Sequence, residues 1–409
     1  MAIRRLFLFV AIPTVAAILA CAPAHADDAA RAATAANLAA GTLKAGDAAL
    51  AAIAQKDPAN QDAKLGLGMI RFVAAVEHLS QGFYRYGLEA PKDALVPLFR
   101  LPVPENPNPQ PATYEAIRGV LQGFVDDLTL ADKTLAEVNS AQAKVPVDLR
   151  RISYDTDGDG KMAKEERLIT VMNVIAGIEE DDLPADATVA FDLGDALWLR
   201  GYCHVLMALG DFLLAHDWHE GFNASFHEFF PRANLPLAAA LANRDPGFEE
   251  SIADWVTFVH LLRWPVLEPK RMTGVRDHLK TVLQLSRDSW KAIEAETDND
   301  REWLAGPKQK SAIVNLEVTD EMLTGWRQLL DEADAVLDGR TLVPHWRLKK
   351  GINIRKVFEQ PTTFDLVMWV TGPAALPYLE DGPMTSEAHW ERALRSFGTG
   401  FGNYLAWFN

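Results

Sequence analysis

The sequence predicts a mainly α fold, a multi-helix domain carrying one acidic loop and a few short strands or irregular segments near the C-terminus. Two observations carry this. Apolar residues recur at helical spacing through most of the long segments, and strand-like alternation is rare. The 409 residues are 49% hydrophobic, enough to bury one large domain or two modest ones. No long low-complexity tract interrupts them, so disorder is not expected over most of the chain.

The first 26 residues read as a signal peptide and are set aside from the fold. Arg4 and Arg5 form the positive start, Leu6 to Leu19 the apolar stretch, and Ala24-His25-Ala26 the small-x-small cleavage site. The apolar stretch is too short for a comfortable membrane span. Ile18-Leu19-Ala20-Cys21 offers a competing reading, because it resembles a bacterial lipobox in which Cys21 would carry a lipid anchor. The well-placed Ala-His-Ala site favours plain secretion. Both readings place the protein outside the cytoplasm, periplasmic or secreted. Either route leaves Cys203 as the one remaining cysteine, a small buried hydrophobe, with no intramolecular disulfide.

An Ala-rich helical segment is expected from Ala29 to Gln55. Asp57-Pro58 breaks it, and a second helix follows from Gln61 to Tyr84, with Leu65, Ile70, Val73 and Val76 on its apolar face. This pair resembles a single tetratricopeptide-type hairpin over about 50 residues. No second copy follows at a fixed period, and an ordinary antiparallel pair explains the pattern as well. Residues 27–100 form this N-terminal hairpin region. Residues 101–111, with five prolines from Pro102 to Pro111, form an extended connector. Residues 112–409 form the main helical domain.

In that domain helices are expected at 112–141, 164–180, 192–215, 246–262, 273–296, 319–337 and 386–407. Leu193 to Ala215 is strongly apolar, but Asp195, Arg200, His204 and Asp211 interrupt it, as suits a core helix rather than a membrane span. Gly351 to Phe358 and Phe364 to Val370 are the best strand candidates.

The run D-T-D-G-D-G-K-M-A-K-E-E from Asp155 to Glu166 resembles the EF-hand calcium loop. Asp155, Asp157 and Asp159 occupy the first, third and fifth positions. Gly160 stands where the chain must turn sharply. The resemblance implies that Lys161 offers its backbone carbonyl, that water fills the place of Ala163, and that Glu166 closes the cage with two oxygens. It implies one Ca²⁺ ion. Mg²⁺ ranks second because it demands stricter octahedral geometry. Lanthanide ions share the preference for oxygen cages. Met162 fits the small hydrophobic seat of such loops, with a short entering helix about Leu149 and Tyr154. Two features separate this loop from sensor EF-hands. Arg167 stands where an apolar residue normally follows the glutamate, and no partner loop exists. Asp298-Asn299-Asp300 starts a similar pattern, but Trp303 replaces the needed glycine. A structural site with a dissociation constant on the order of 10⁻⁵ to 10⁻³ M is expected.

Other constellations compete for chemistry. His216, His219 and His227 cluster with Glu220 and Glu228, and the first two could share a helix face as a zinc site needs. Arg200, His204 and Asp211 share one face of an apolar helix, where they form a buried ion pair or line a ligand pocket. Tryptophans are numerous after residue 260 but sit at core spacing. No nucleophile elbow, phosphate loop or dinucleotide fingerprint occurs. No concentrated basic face of a nucleic-acid binder stands out, and the formal charge of −16, which becomes −18 once Arg4 and Arg5 leave with the signal peptide, argues for solubility and cation attraction. The densest basic group, Arg347, Lys349, Lys350 and Arg355, is small. The leading reading is a non-enzymatic, calcium-stabilised envelope protein with an unknown ligand or partner. The alternative is an envelope hydrolase or zinc-dependent enzyme drawing on the histidine cluster or the polar stripe.

Overall fold

The computed structural model describes residues 26–409 apart from 90–96, 177–178, 234, 241–247, 313–316 and most of 387–407. Cys21, the first two residues of the cleavage site and most of the expected final helix lie outside the described residues. Thirteen α-helices run through the described chain. They are α1 (Ala26–Ala40), α2 (Leu43–Lys56), α3 (Gln61–Tyr86), α4 (Tyr114–Leu135), α5 (Leu168–Ala176), α6 (Leu193–Ala215) and α7 (His219–Ser225). After them come α8 (Pro236–Ala240), α9 (Phe248–Leu261), α10 (Pro269–Ala295), α11 (Asp320–Leu337), α12 (Ile354–Glu359) and α13 (Leu366–Thr371). The fold is mainly α.

The helix boundaries follow local chemistry. Asn60 caps α3 by accepting from the Ala63 N–H at 2.7 Å, and Gly87 ends it in the left-handed region at φ +69°. Thr113 caps α4, and Asp192 with Asp195 form a capping box on α6. Thr319 caps α11. The single helix expected over 29–55 is two helices. Gly41, at φ +64°, stops α1, and a Cβ there would fall 2.2 Å from the Met162 sulfur. That turn leaves room for the acidic loop to lie against it.

Helix α6 is the spine of the bundle, with α4 and α10 packed along it. In turn α3 packs on α4, and α1 and α2 pack on α3. One hydrophobic core runs through these helices from Ala30 to Phe408, joining both sides of the Pro-rich connector. A small separate core of Ile352, Ala375 and Tyr378 supports the irregular C-terminal part.

Three antiparallel ribbons complete the described fold. Strand β1 (Val145–Asp148) pairs with β2 (Thr188–Phe191), from Val145↔Phe191 to Asp148↔Thr188. Strand β3 (Arg263–Trp264) pairs with β5 (Phe364–Asp365), and β4 (Gly351–Ile352) with β6 (Leu379–Glu380). The two long strand candidates are therefore corrected to two-residue strands. Asn353 accepts from the Lys356 N–H and starts α12, and Asp365 accepts from the Met368 N–H and starts α13. Each cap diverts an apolar run into a helix before a strand can extend. The ribbon β1–β2 went unpredicted, because Pro146 interrupts the strand signal. It holds both ends of the segment that carries the acidic loop.

Candidate metal centre

The loop from Asp155 to Glu166 closes at its neck. The Tyr154 N–H donates to the Glu166 carbonyl at 3.1 Å, and the Leu168 N–H donates to the Ile152 carbonyl at 2.9 Å. Ser153 and Arg167 form an antiparallel bridge there. The entering segment is a single 3₁₀ turn, Leu149–Arg151, capped by Asp148, rather than an α-helix. The exiting helix α5 starts at Leu168 rather than Lys164. Both changes have one cause. Pairing across the neck holds residues 152–154 and 167 extended, so helix can begin only beyond it.

Inside the loop the aspartates order the backbone. Asp155 accepts from the Gly158 N–H at 2.7 Å and the Gly160 N–H at 2.9 Å. Asp157 accepts from Asp159 N–H, and Asp159 from Lys161 N–H. Gly158 and Gly160 both take positive φ, +78° and +76°, which a side chain would resist. The result brings carboxylate oxygens of Asp155, Asp157 and Asp159 within 4.8 Å of one another.

Glu166 stands outside that trio. Its Oε1 accepts from the Thr156 N–H and hydroxyl, each at 2.7 Å, and its Oε2 from the Ala163 N–H at 2.8 Å. Glu166 and Thr156 are both buried. The Lys161 ammonium extends outward to Asp159 at 3.2 Å. Met162 is half-buried against the α1–α2 turn at Gly41.

Helix α3 forms a floor for the loop. Glu77 Oε2 accepts from the Asp155 N–H and Gln81 Nε2 donates to the Asp155 carbonyl, both at 2.7 Å. The Ser153 N–H donates to the Leu38 carbonyl of α1 at 2.9 Å. Burial pushes the Glu77 carboxyl up to about 7. The Asp155 N–H opposes this, and the charges of Asp155 and Glu166 add to it. Tyr154 is fully buried, and burial with the charges of Glu166 and Glu77 pushes its phenol up. Burial and the other loop carboxylates raise Asp157, whereas the Lys161 N–H and ammonium lower the exposed Asp159. Sequence reasoning missed this floor. The available signal was the polar spacing of Glu77, Gln81 and Tyr84 on one helix face.

A second acidic group lies deeper, with Asp192 and Glu302 buried and Glu296 half-buried. Oxygens of Asp192, Glu296 and Glu302 also approach within 4.8 Å. Asp192 caps α6, Glu296 follows α10 and accepts from Gln309 at 3.0 Å, and Glu302 accepts from the Asp300 N–H at 2.8 Å. Burial raises all three, Glu296 to about 8. Burial, then the Asp192 charge, hold neighbouring Asp195 well above the usual range. The sequence singled out Asp298-Asn299-Asp300, but its neighbours Glu296 and Glu302 are the residues that converge, joined by a distant capping aspartate. Trp303 packs its ring on Phe191 and Trp198.

The three histidines of the expected zinc cluster face different ways. His216 is buried with Nδ1 against the Phe212 carbonyl at 2.7 Å. His219 stacks on Tyr114 at 4.6 Å between centroids. His227 lies 3.0 Å from Glu228. The Arg200, His204 and Asp211 stripe does meet partners on other helices, Asp132 on α4 and Arg271 and His278 on α10. Cys203 is buried beside it, and burial pushes its thiol up. Searches against family models, curated proteins and solved structures find no match to the chain.

Proposed function

We propose that the protein is an exported calcium-binding protein whose single EF-hand-type loop acts as a structural clip in a helical envelope fold. The convergence of Asp155, Asp157 and Asp159 on a loop pre-shaped by Gly158 and Gly160 is the observation that carries this reading. Hard oxygen donors on a flexible loop suit Ca²⁺ over transition metals. Lys161 contributes its carbonyl and water completes the place of Ala163. Glu166 closes the cage with both oxygens, giving up hydrogen bonds that it accepts from Thr156 and Ala163.

The contacts of Asp155 with Glu77 and Gln81, and of Ser153 with Leu38, support a clip rather than a switch. An ion at Asp155 tightens the loop against α3 and the α1–α2 turn together. A binder of the folded loop alone adds stability by mass action, about 2.7 kcal/mol at a hundredfold excess over its dissociation constant. Thermal unfolding in Ca²⁺ against chelator tests this. The expected result is a higher midpoint in Ca²⁺, a smaller rise in Mg²⁺, and none in Asp155→Ala. Superimposable curves at saturating Ca²⁺ would contradict the clip.

A further inference from the structure

Helices α4, α6 and α10 meet along a polar seam with two mirror-like halves. In one, Arg200 Nε donates to Asp132 at 2.8 Å, and Asp132 Oδ2 lies 3.5 Å from His204 Nε2. In the other, Arg271 donates to Asp211, and Asp211 Oδ2 lies 3.4 Å from His278 Nε2. The halves join where His204 Nδ1 and His278 Nδ1 face each other at 2.8 Å. The histidine side chains are 12% and 21% exposed, so both rings are largely buried.

The protons follow from this geometry. Burial works against ionisation of Asp132 and Asp211. Arg200 donates to Asp132 and Arg271 to Asp211, which favours the carboxylate form of each, and each carboxylate lies near one histidine Nε2. Each ionised carboxylate orders an N–H on the Nε2 facing it. A neutral ring then carries its lone pair on Nδ1. Two such lone pairs cannot face each other at 2.8 Å unaided: either one shared proton or a metal cation lies between them. Imidazoles braced at one nitrogen by a carboxylate, with the other nitrogen free to bind, are the arrangement that metal-binding histidines use.

We propose that His204 and His278 form a two-imidazole site for a borderline divalent metal, Zn²⁺ or Cu²⁺, positioned by Asp132 and Asp211. Nitrogen donors select such ions over Ca²⁺. Metal–nitrogen bonds of about 2.0–2.1 Å in a tetrahedral site place the two nitrogens about 3.3 Å apart, so the rings need part by only roughly half an ångström. Water or a small ligand takes the remaining positions. The site is independent of the calcium loop and of His216, His219 and His227.

The test uses Asp155→Ala protein free of any affinity tag, so that the acidic loop contributes nothing. Calorimetry with Zn²⁺ and Cu²⁺ at neutral pH is expected to give one ion per chain. His204→Gln and His278→Gln should each weaken uptake at least a hundredfold, and Asp132→Asn about tenfold or more. A His216→Gln, His219→Gln double variant should bind as its parent does. Electron paramagnetic resonance of the Cu²⁺ form should show coupling to two imidazole nitrogens, a readout available even if a histidine variant fails to fold. No uptake by the parent protein at about 0.1 mM metal would overturn the site. So would uptake that both folded histidine variants retain.

Discussion

Asp155, Asp157 and Asp159 crowd their carboxylates on an open loop, whereas Asp192, Glu296 and Glu302 crowd theirs in the interior, within the same 4.8 Å. The loop aspartates spend one oxygen or more on backbone N–H groups of their own turn and keep contact with water. The interior group sits between the end of α10 and the start of α6, where ionisation is opposed by burial. The same residue chemistry is thus poised for different neutralising partners. On the proposed function the loop takes a cation, whereas burial raises the interior carboxyls toward their protonated form. The difference teaches that carboxylate proximity alone does not define a function; solvent and backbone donors decide which positive partner the group takes.

The largest effect should come from removing the loop's first carboxylate. Asp155 anchors two loop N–H groups, and Asp155→Ala should weaken Ca²⁺ uptake by a hundredfold or more, read by equilibrium dialysis. The interior group should instead respond to pH. Glu296 has its pKa raised from 4.5 to about 8, so the folded state holds a proton that the unfolded state releases. Its contribution is full below pH 4.5 and is lost as pH rises toward about 8. Glu296→Gln should flatten that decline in denaturant midpoints measured across the window, with little change in Ca²⁺ response. An unchanged pH slope would dissolve the contrast between the two groups.

Smaller effects sharpen the loop's attachment. Glu77→Ala leaves the Asp155 N–H without its acceptor and should destabilise the fold by about 1–3 kcal/mol in chemical denaturation. Ca²⁺ affinity should fall with it, because the loop loses its floor. Gly160→Ala places a side chain at φ +76°, with open space around it, so only backbone strain applies. That should cost about 1–2 kcal/mol. A larger loss would mean that the turn is also packed.

Much of this architecture was legible in the sequence. The long helices α3, α6, α10 and α11 follow from apolar periodicity, and the acidic loop from its spacing. The failures have physical reasons. Gly41 lies inside the Ala-rich run expected as one helix, and its close approach to Met162 comes from a segment far along the chain. Pro146 hides β1, although its partner β2 supplies the register. The strands after residue 350 are cut short by Asn353 and Asp365, whose capping role competes with an apolar run that alternation alone would extend. For the sites, local spacing found Asp155, Asp157 and Asp159 together. It could not find Glu77, Asp132 or His278, because only packing of α3, α4 and α10 brings them to their partners.

Isothermal titration of Ca²⁺ into metal-free protein tests the central claim most directly. The account predicts one ion per chain, with a dissociation constant on the order of 10⁻⁵ to 10⁻³ M, and no such binding in Asp155→Ala. An absence of binding at millimolar Ca²⁺, or binding that survives the Asp155 change intact, would contradict it.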